Sequence, residues 1–277
     1  MDLKLDLEIR NVDYLTDMLK ASFSWENWTA MIEIADKLFE TTSFINVVSK
    51  YHHTQEKYTM KRCVAYYFGN SLCMKGIALK KTGQYAEARK CIVEYSDLSW
   101  VNCLDEENLG EVNYYRDIAK ANSYVLDLLE GNTSVLEEYV DFIRNSGGKE
   151  LIPGLITVLE SAITYGYSID SVLSEFEGCV KEVSEGGSRV ALRQYIDYIY
   201  LLAAYHYKQG RTSCALNVAL HTLLLSGKAE DRPGFIKTAA LYEQLRRYAD
   251  HSQQQAYQNI MYYFRSSSTE SRSLNRI

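Results

Sequence analysis

What most constrains this chain is how little punctuates it. Only 2 prolines and 15 glycines occur in 277 residues, where average usage would give about 14 and about 19. Few positions can therefore break a propagating helix. Between the glycines, apolar residues recur at three- and four-residue spacing, and no stretch alternates cleanly as a strand would. The pattern predicts an all-α chain with helices over residues 10–22, 25–40, 55–82, 84–98, 105–130, 132–145, 149–165, 168–185, 188–209, 211–226, 232–249 and 251–265. Thr82-Gly83-Gln84, Glu130-Gly131-Asn132, Ser146-Gly147-Gly148, Gly186-Gly187-Ser188 and Gln209-Gly210-Arg211 place glycine where a helix C-terminus turns left-handed. Pro153 and Pro233 fall in expected first turns, where a missing N–H costs little. Ser49 to Lys57 is polar and reads as a loop or a helix start. The serine-rich stretch from Arg265 onward lacks an apolar period, which predicts a helical-repeat domain over 1–265 and a disordered tail over 266–277.

Composition excludes whole classes. Hydrophobic residues make up 47 % and charged residues 24 % of the chain, values of a folded protein. The net charge of −6 leaves no chain-wide basic footprint for phosphates, so no direct nucleic-acid contact is expected. The cysteines Cys63, Cys73, Cys91, Cys103, Cys179 and Cys214 never fall two residues apart, and the start MDLKLDLEIR lacks an apolar signal core. The longest strongly apolar stretch, Ile199 to Tyr205, is far short of the ~20 residues of a membrane span. These features predict a cytoplasmic chain with free thiols and no membrane partner. Tyrosine is abundant, 23 residues, and its rings suit either a core or a binding surface.

Around Gly83, Leu72, Gly76 and Leu79 precede the glycine and Tyr85, Ala88, Ile92 and Tyr95 follow it. Small Gly76 and Ala88 allow two antiparallel helices to approach while the bulky residues fill the space around them. This spacing resembles the tetratricopeptide repeat, with departures at Lys75, where an apolar residue is usual, and at Trp100, where a proline often closes the repeat. Leu202, Ala203, Gly210, Ala215 and Ala219 repeat it; Gly131 with Leu136 and Val140 is a weaker copy, and Trp28, Met31, Ala35 and Leu38 look like an isolated second helix. The resulting expectation is a superhelix, or α-solenoid, of degenerate tetratricopeptide-like hairpins, with an irregular helical bundle as the alternative.

The strings EYSDLSW (Glu94 to Trp100), EEYVDFI (Glu137 to Ile143) and LIPGLITVLESA (Leu151 to Ala162) resemble the C-terminal sensor half of helix-turn-helix regulators of Gram-positive spore-forming bacteria, relatives in architecture of receptors for short signalling peptides. The likeness runs from about Asp13 to Phe264. It implies a helical-repeat sensor. The opening MDLKLDLEIRNVDYL enters that half directly, so the resemblance implies that the DNA-binding domain is absent.

Catalytic signatures are missing from the text of the chain. Ser146-Gly147-Gly148-Lys149 lacks the first glycine and the closing Ser or Thr of a phosphate loop and reads as a helix connection. The histidines His52, His53, His206, His221 and His251 form no zinc pattern; His52-His53 reads as a solvated loop and His206 as a packed helix residue. Ser168 reads as a helix N-cap, and Cys63, Cys73 and Cys91 as structural thiols. No enzyme and no cofactor is expected.

In a right-handed superhelix the first helix of each hairpin lines the concave side. Tyr66, Asn70, Cys73, Ile77, Lys80 and Lys81 follow such a stripe, Asn122 occupies the related one, and Asp197, Tyr200 and Lys208 a third. Asparagine pairs with both backbone groups of an extended peptide, and lysine with a carboxylate. The residues are thus candidate peptide contacts; the competing reading makes Asn70 and Asn122 caps or cross-links and the tyrosines core. The leading functional expectation is a non-enzymatic regulatory protein that binds a peptide or partner protein, as a homo- or hetero-oligomer or alone. The alternative is a transcriptional regulator, or an inhibitory partner of full-length helix-turn-helix regulators, acting through heteromer formation.

Overall fold

The computed structural model describes residues 11–51, 60–101, 105–148, 150–184 and 189–274. His52, His53, Cys103, Lys149 and Gly186 to Ser188 lie outside them. The described residues are helical, without strands. The α-helices are α1 (Val12–Ser24), α2 (Trp28–Tyr51), α3 (Val64–Lys81), α4 (Tyr85–Ser96), α5 (Glu106–Leu129), α6 (Leu136–Asn145), α7 (Leu151–Tyr165), α8 (Asp170–Ser184), α9 (Arg189–Lys208), α10 (Thr212–Lys228), α11 (Arg232–Leu245) and α12 (His251–Leu274). Short 3-10 turns at Thr133–Val135 and Arg246–Tyr248 precede α6 and follow α11.

The boundaries differ from the sequence reading where side chains substitute for apolar period. Helix α2 continues to Tyr51 because its inner face stays buried at Thr41, Thr42, Ile45 and Asn46, while the hydroxyls of Thr41, Thr42 and Ser43 are satisfied by the carbonyls four residues back, at 2.7–2.8 Å. Helix α3 starts at Val64 because Cys63 is extended, φ −71° and ψ 162°. The backbone of α12 runs helically to Leu274, through most of the segment read as tail; propagation costs little once preceding turns exist.

The chain forms two compact units, one ending at Glu130 and one beginning at Gly131. In the first, each helix packs on its successor, and α3 also packs on α1 and α5. One cluster joins Val12, Leu15 and Leu19 of α1 to Met31, Ala35 and Leu38 of α2 and Tyr67 of α3. A second joins Phe68, Leu72 and Leu79 of α3 to Ala88, Ile92 and Tyr95 of α4 and Val112, Tyr115 and Leu126 of α5. Helix α3 is thus buried from two sides. A Cβ on Gly76 would sit 3.4 Å from that of Cys91 and 3.7 Å from the Ala88 carbonyl oxygen, so the seam expected from the sequence is present. A Cβ on Gly69 would fall 2.1 Å from the Tyr115 ring, which makes glycine obligatory where α3 meets α5. In the second unit α7 packs on α9, and α9, α10 and α11 pack in succession. Helix α12 returns onto α10, and its Tyr257 stacks on Tyr242 of α11 with ring centroids 4.0 Å apart.

Four hairpins share one turn. Trp25–Asn27, Thr82–Gln84, Gln209–Arg211 and Ala229–Asp231 each hold a left-handed middle residue: Glu26 at φ +55°, Gly83 at +76°, Gly210 at +74° and Glu230 at +56°. In each, the next N–H donates back to a carbonyl of the preceding helix: Asn27 to Ser22, Gln84 to Leu79, Arg211 to His206 and Asp231 to Ser226, at 2.8–2.9 Å. This is the six-to-one bond of a Schellman cap. Around the first three turns the residues five and nine places on are buried, Met31 and Ala35, Ala88 and Ile92, Ala215 and Ala219; so are those seven and eleven places back, Leu19 and Leu15, Gly76 and Leu72, Ala203 and Ile199.

Left-handed backbone costs a non-glycine residue roughly 1–2 kcal/mol. Nothing lies within 4 Å of a Cβ on Gly83, so Gly83→Ala isolates that cost. Urea unfolding should show Gly83→Ala less stable by ~1 kcal/mol and Glu230→Gly more stable by up to ~1 kcal/mol. Unchanged midpoints for both would contradict the shared turn.

Candidate functional site

Packing of α3 on α2, α4 and α5 consumes most of its surface and leaves one stripe. Tyr66, Asn70, Cys73, Ile77 and Lys80 are half-buried along it, and Lys81 is exposed at its end. Beside the stripe, between α3, α4 and α5, lies a crevice of about 220 Å³ counted with its open mouth. Ile77, Lys80, Tyr95 and Asn122 line it, with Gly76 and Ala88 at the seam. The sequence-predicted pair Lys80 and Asn122 is therefore brought together. Most of that volume is open to solvent, and the enclosed part is about one water in size, so the crevice is a shallow notch rather than a closed pocket.

The side chains differ in what they already do. Asn122 Nδ2 donates to the Tyr95 hydroxyl at 2.8 Å, joining α5 to α4, and Tyr95 is buried, which drives its hydroxyl far above its usual range. Asn122 is thus a cross-link that also faces the crevice. Asn70 and Lys81 carry no hydrogen bond or ion pair among the described residues. Tyr66 lies under the guanidinium of Arg62, 4.4 Å from ring centroid to Cζ, and its carbonyl accepts the Tyr115 hydroxyl at 3.2 Å.

Asp197 and Tyr200 belong to the second unit. Both engage Lys237 of α11: Asp197 as an ion pair, Tyr200 with its ring centroid 4.8 Å from Nζ. They tie α9 to α11. Lys208, read from the same stripe, is exposed.

Sequence reasoning missed a cluster at the start of α8. The buried Tyr205 hydroxyl accepts the Ile169 N–H at 2.9 Å and donates to Asp170 Oδ1 at 2.9 Å. Arg211 grips Asp170 through two bonds of 2.9 and 2.8 Å and holds its carboxyl below the usual range. Ser168 Oγ accepts the Asp170 N–H at 3.4 Å from one residue outside the cap position expected of it, since the Ile169 carbonyl accepts the first helical bond, from Leu173. The one signal for this cluster was Arg211 directly after a turn glycine, which names no partner forty residues away. Burial raises the thiols of Cys63 and Cys91, the latter to about 11, so neither is poised as a nucleophile.

Among the described residues no group of three His, Cys, Asp or Glu is placed to hold a metal ion. No described helix is long and apolar enough to cross a membrane. The chain matches no protein-family model, no curated protein and no solved structure.

His206 adjoins the Arg211 cluster, and its Nδ1 is buried without a partner among the described residues. Burial first, and Arg211 second, depress its pKa below 6.5, with Asp170 opposing. The unfolded chain then binds the proton before the folded one, so this contribution is complete above about pH 6.5 and is lost as pH falls toward the folded value. The urea midpoint should drop between pH 7.5 and pH 5.5, and drop less in His206→Gln. Equal pH dependence of the two proteins would contradict the assignment.

Proposed function

We propose that the chain is a non-enzymatic regulatory binding protein of the cytoplasm, built from degenerate tetratricopeptide-like hairpins that stack as an α-solenoid. Its ligand is an extended peptide or an extended segment of a partner protein, bound without nucleic acid or cofactor. The shared turns and the buried positions repeated around Glu26, Gly83 and Gly210 support the repeat reading. So does the resemblance of the sequence to regulator sensor halves.

One observation carries the functional reading: the α3 stripe combines polar groups not consumed by the fold, Asn70 and Lys81, with a shallow notch at the Gly76–Ala88 seam. The Asn70 amide can pair with both the N–H and the C=O of an extended backbone, as strand edges do. Lysines at the end of α3 sit where the helix C-terminus favours cations, and they add attraction for a carboxylate. Ile77 and the Tyr95 edge give the crevice an apolar wall.

Affinity capture from a cytosolic peptide pool tests this. The Asn70→Ala/Lys81→Ala variant should melt like the parent and retain markedly less peptide, since losing a groove donor from a buried bond costs ~1–3 kcal/mol of binding. Asn122→Ala should lose both stability and capture, because Tyr95 loses its partner. Undiminished capture by the double variant at unchanged melting temperature would overturn the site.

A further inference from the structure

The chain clasps its own cations in one recurring way. A tyrosine ring and a carboxylate together hold Arg62, Lys237 and Arg211, through Tyr66 with Glu111, Tyr200 with Asp197, and Tyr205 with Asp170. The ring contributes its negative face and the carboxylate a full charge, a combination selective for ammonium and guanidinium groups. The Arg62 clasp differs from the others in lying on the α3 stripe, its cation coming from the short segment ahead of α3.

In that clasp the receptor is fixed and the occupant is not. Tyr66 stands on α3, and Glu111 on α5 is only 12 % exposed, whereas the Arg62 side chain is 48 % exposed. The Arg62 backbone is anchored separately: its N–H donates to the Tyr67 hydroxyl at 3.1 Å, and Tyr67 in turn donates to Asp13. The Arg62 side chain can therefore swing out while its backbone stays. When Arg62 swings out, Glu111 keeps its negative charge beside the Tyr66 ring, where another cation can meet both. The surroundings favour a cationic guest: Glu107, Glu111 and Asp105 all act on the adjacent Cys63, and the chain is acidic overall at −6.

We propose that Tyr66 and Glu111 form a subsite for the guanidinium of an arginine-bearing peptide, and that Arg62 occupies the place of this ligand in the free protein. This deepens, and rests on, the peptide-binding reading of the α3 stripe. An incoming arginine stacks on Tyr66, pairs with Glu111 and releases Arg62 to water. Because the binding-competent state is the one with Arg62 displaced, apparent affinity is reduced by the fraction of time the clasp is open.

The test uses a blocked peptide, acetyl-Gly-Arg-Gly-Gly-amide, and its citrulline counterpart, which keeps the shape and removes the charge. Arg62→Ala should bind the arginine peptide about tenfold more tightly than the parent, and the citrulline peptide no better. Arg116→Ala, which changes net charge equally on the exposed side of α5, should show no such gain. Adding Glu111→Gln to Arg62→Ala should abolish it. In the intact protein, saturating arginine peptide should move the Arg62 Nε–H resonance to that of a solvated side chain, a readout that needs no variant. Equal arginine-peptide affinity in Arg62→Ala and the parent, an equal gain in Arg116→Ala, or an unmoved Arg62 resonance at saturation would overturn the subsite. If peptide capture through Asn70 and Lys81 persists in that case, the subsite fails and the binding reading stands; if capture fails as well, both fall.

Discussion

Helix α3 crosses α4 where Gly76 meets Ala88 and Cys91, and the first unit is organised around that crossing. Small residues there bring the two axes close enough for Leu72, Leu79, Ile92 and Tyr95 to share a core. The left-handed turn at Gly83 makes the approach antiparallel. On the other side Gly69 admits the Tyr115 ring of α5. With both flanks committed, α3 retains a single open stripe, and the candidate site is that remainder. The crevice beside it is a direct product of the seam, since Gly76 and Ala88 are too small to fill it.

Tyrosine does much of the joining between helices. Tyr67, Tyr95, Tyr205 and Tyr242 are among the largest fully buried side chains, and their hydroxyls bond respectively to Asp13, Asn122, Asp170 and the Gln253 carbonyl. A ring that fills the core while its hydroxyl finds a partner on a neighbouring element supplies packing and register together. Gln253 extends this in the second unit: it exchanges bonds with Asp250 as a capping box and reaches Ser213 and Asn217 of α10. The exposed ion pairs of Lys20, Lys90 and Arg246 with carboxylates one turn away contribute little by comparison.

The helical class was legible because breakers were few and the apolar period was sustained. So were the turns at Gly83 and Gly210, where the rare left-handed conformation coincided with the residue that favours it. The turns at Glu26 and Glu230 were not, because a penalty of roughly 1–2 kcal/mol is small enough for packing to override and leaves no mark in composition. Burial at Leu19, Met31 and Ala35 reveals that α1 and α2 follow the same pattern. Within the site, Lys80 and Asn122 line one crevice. The engagements of Asp197 and Tyr200 with Lys237, and of Tyr66 with Arg62, were hidden, since spacing along one helix says nothing about what the next element places opposite.

The Gly76–Ala88 crossing holds the first unit together and thereby shapes the stripe. Urea unfolding of Ala88→Glu beside Glu87→Ala tests it most directly, because Ala88 is 1 % exposed and Glu87, its neighbour in sequence, is exposed. A carboxylate forced into the crossing is both overpacked and desolvated, so Ala88→Glu should lose several kcal/mol, on the order of the sum of those two penalties, while Glu87→Ala stays within ~0.5 kcal/mol of the parent. Equal midpoints for the two variants would contradict it.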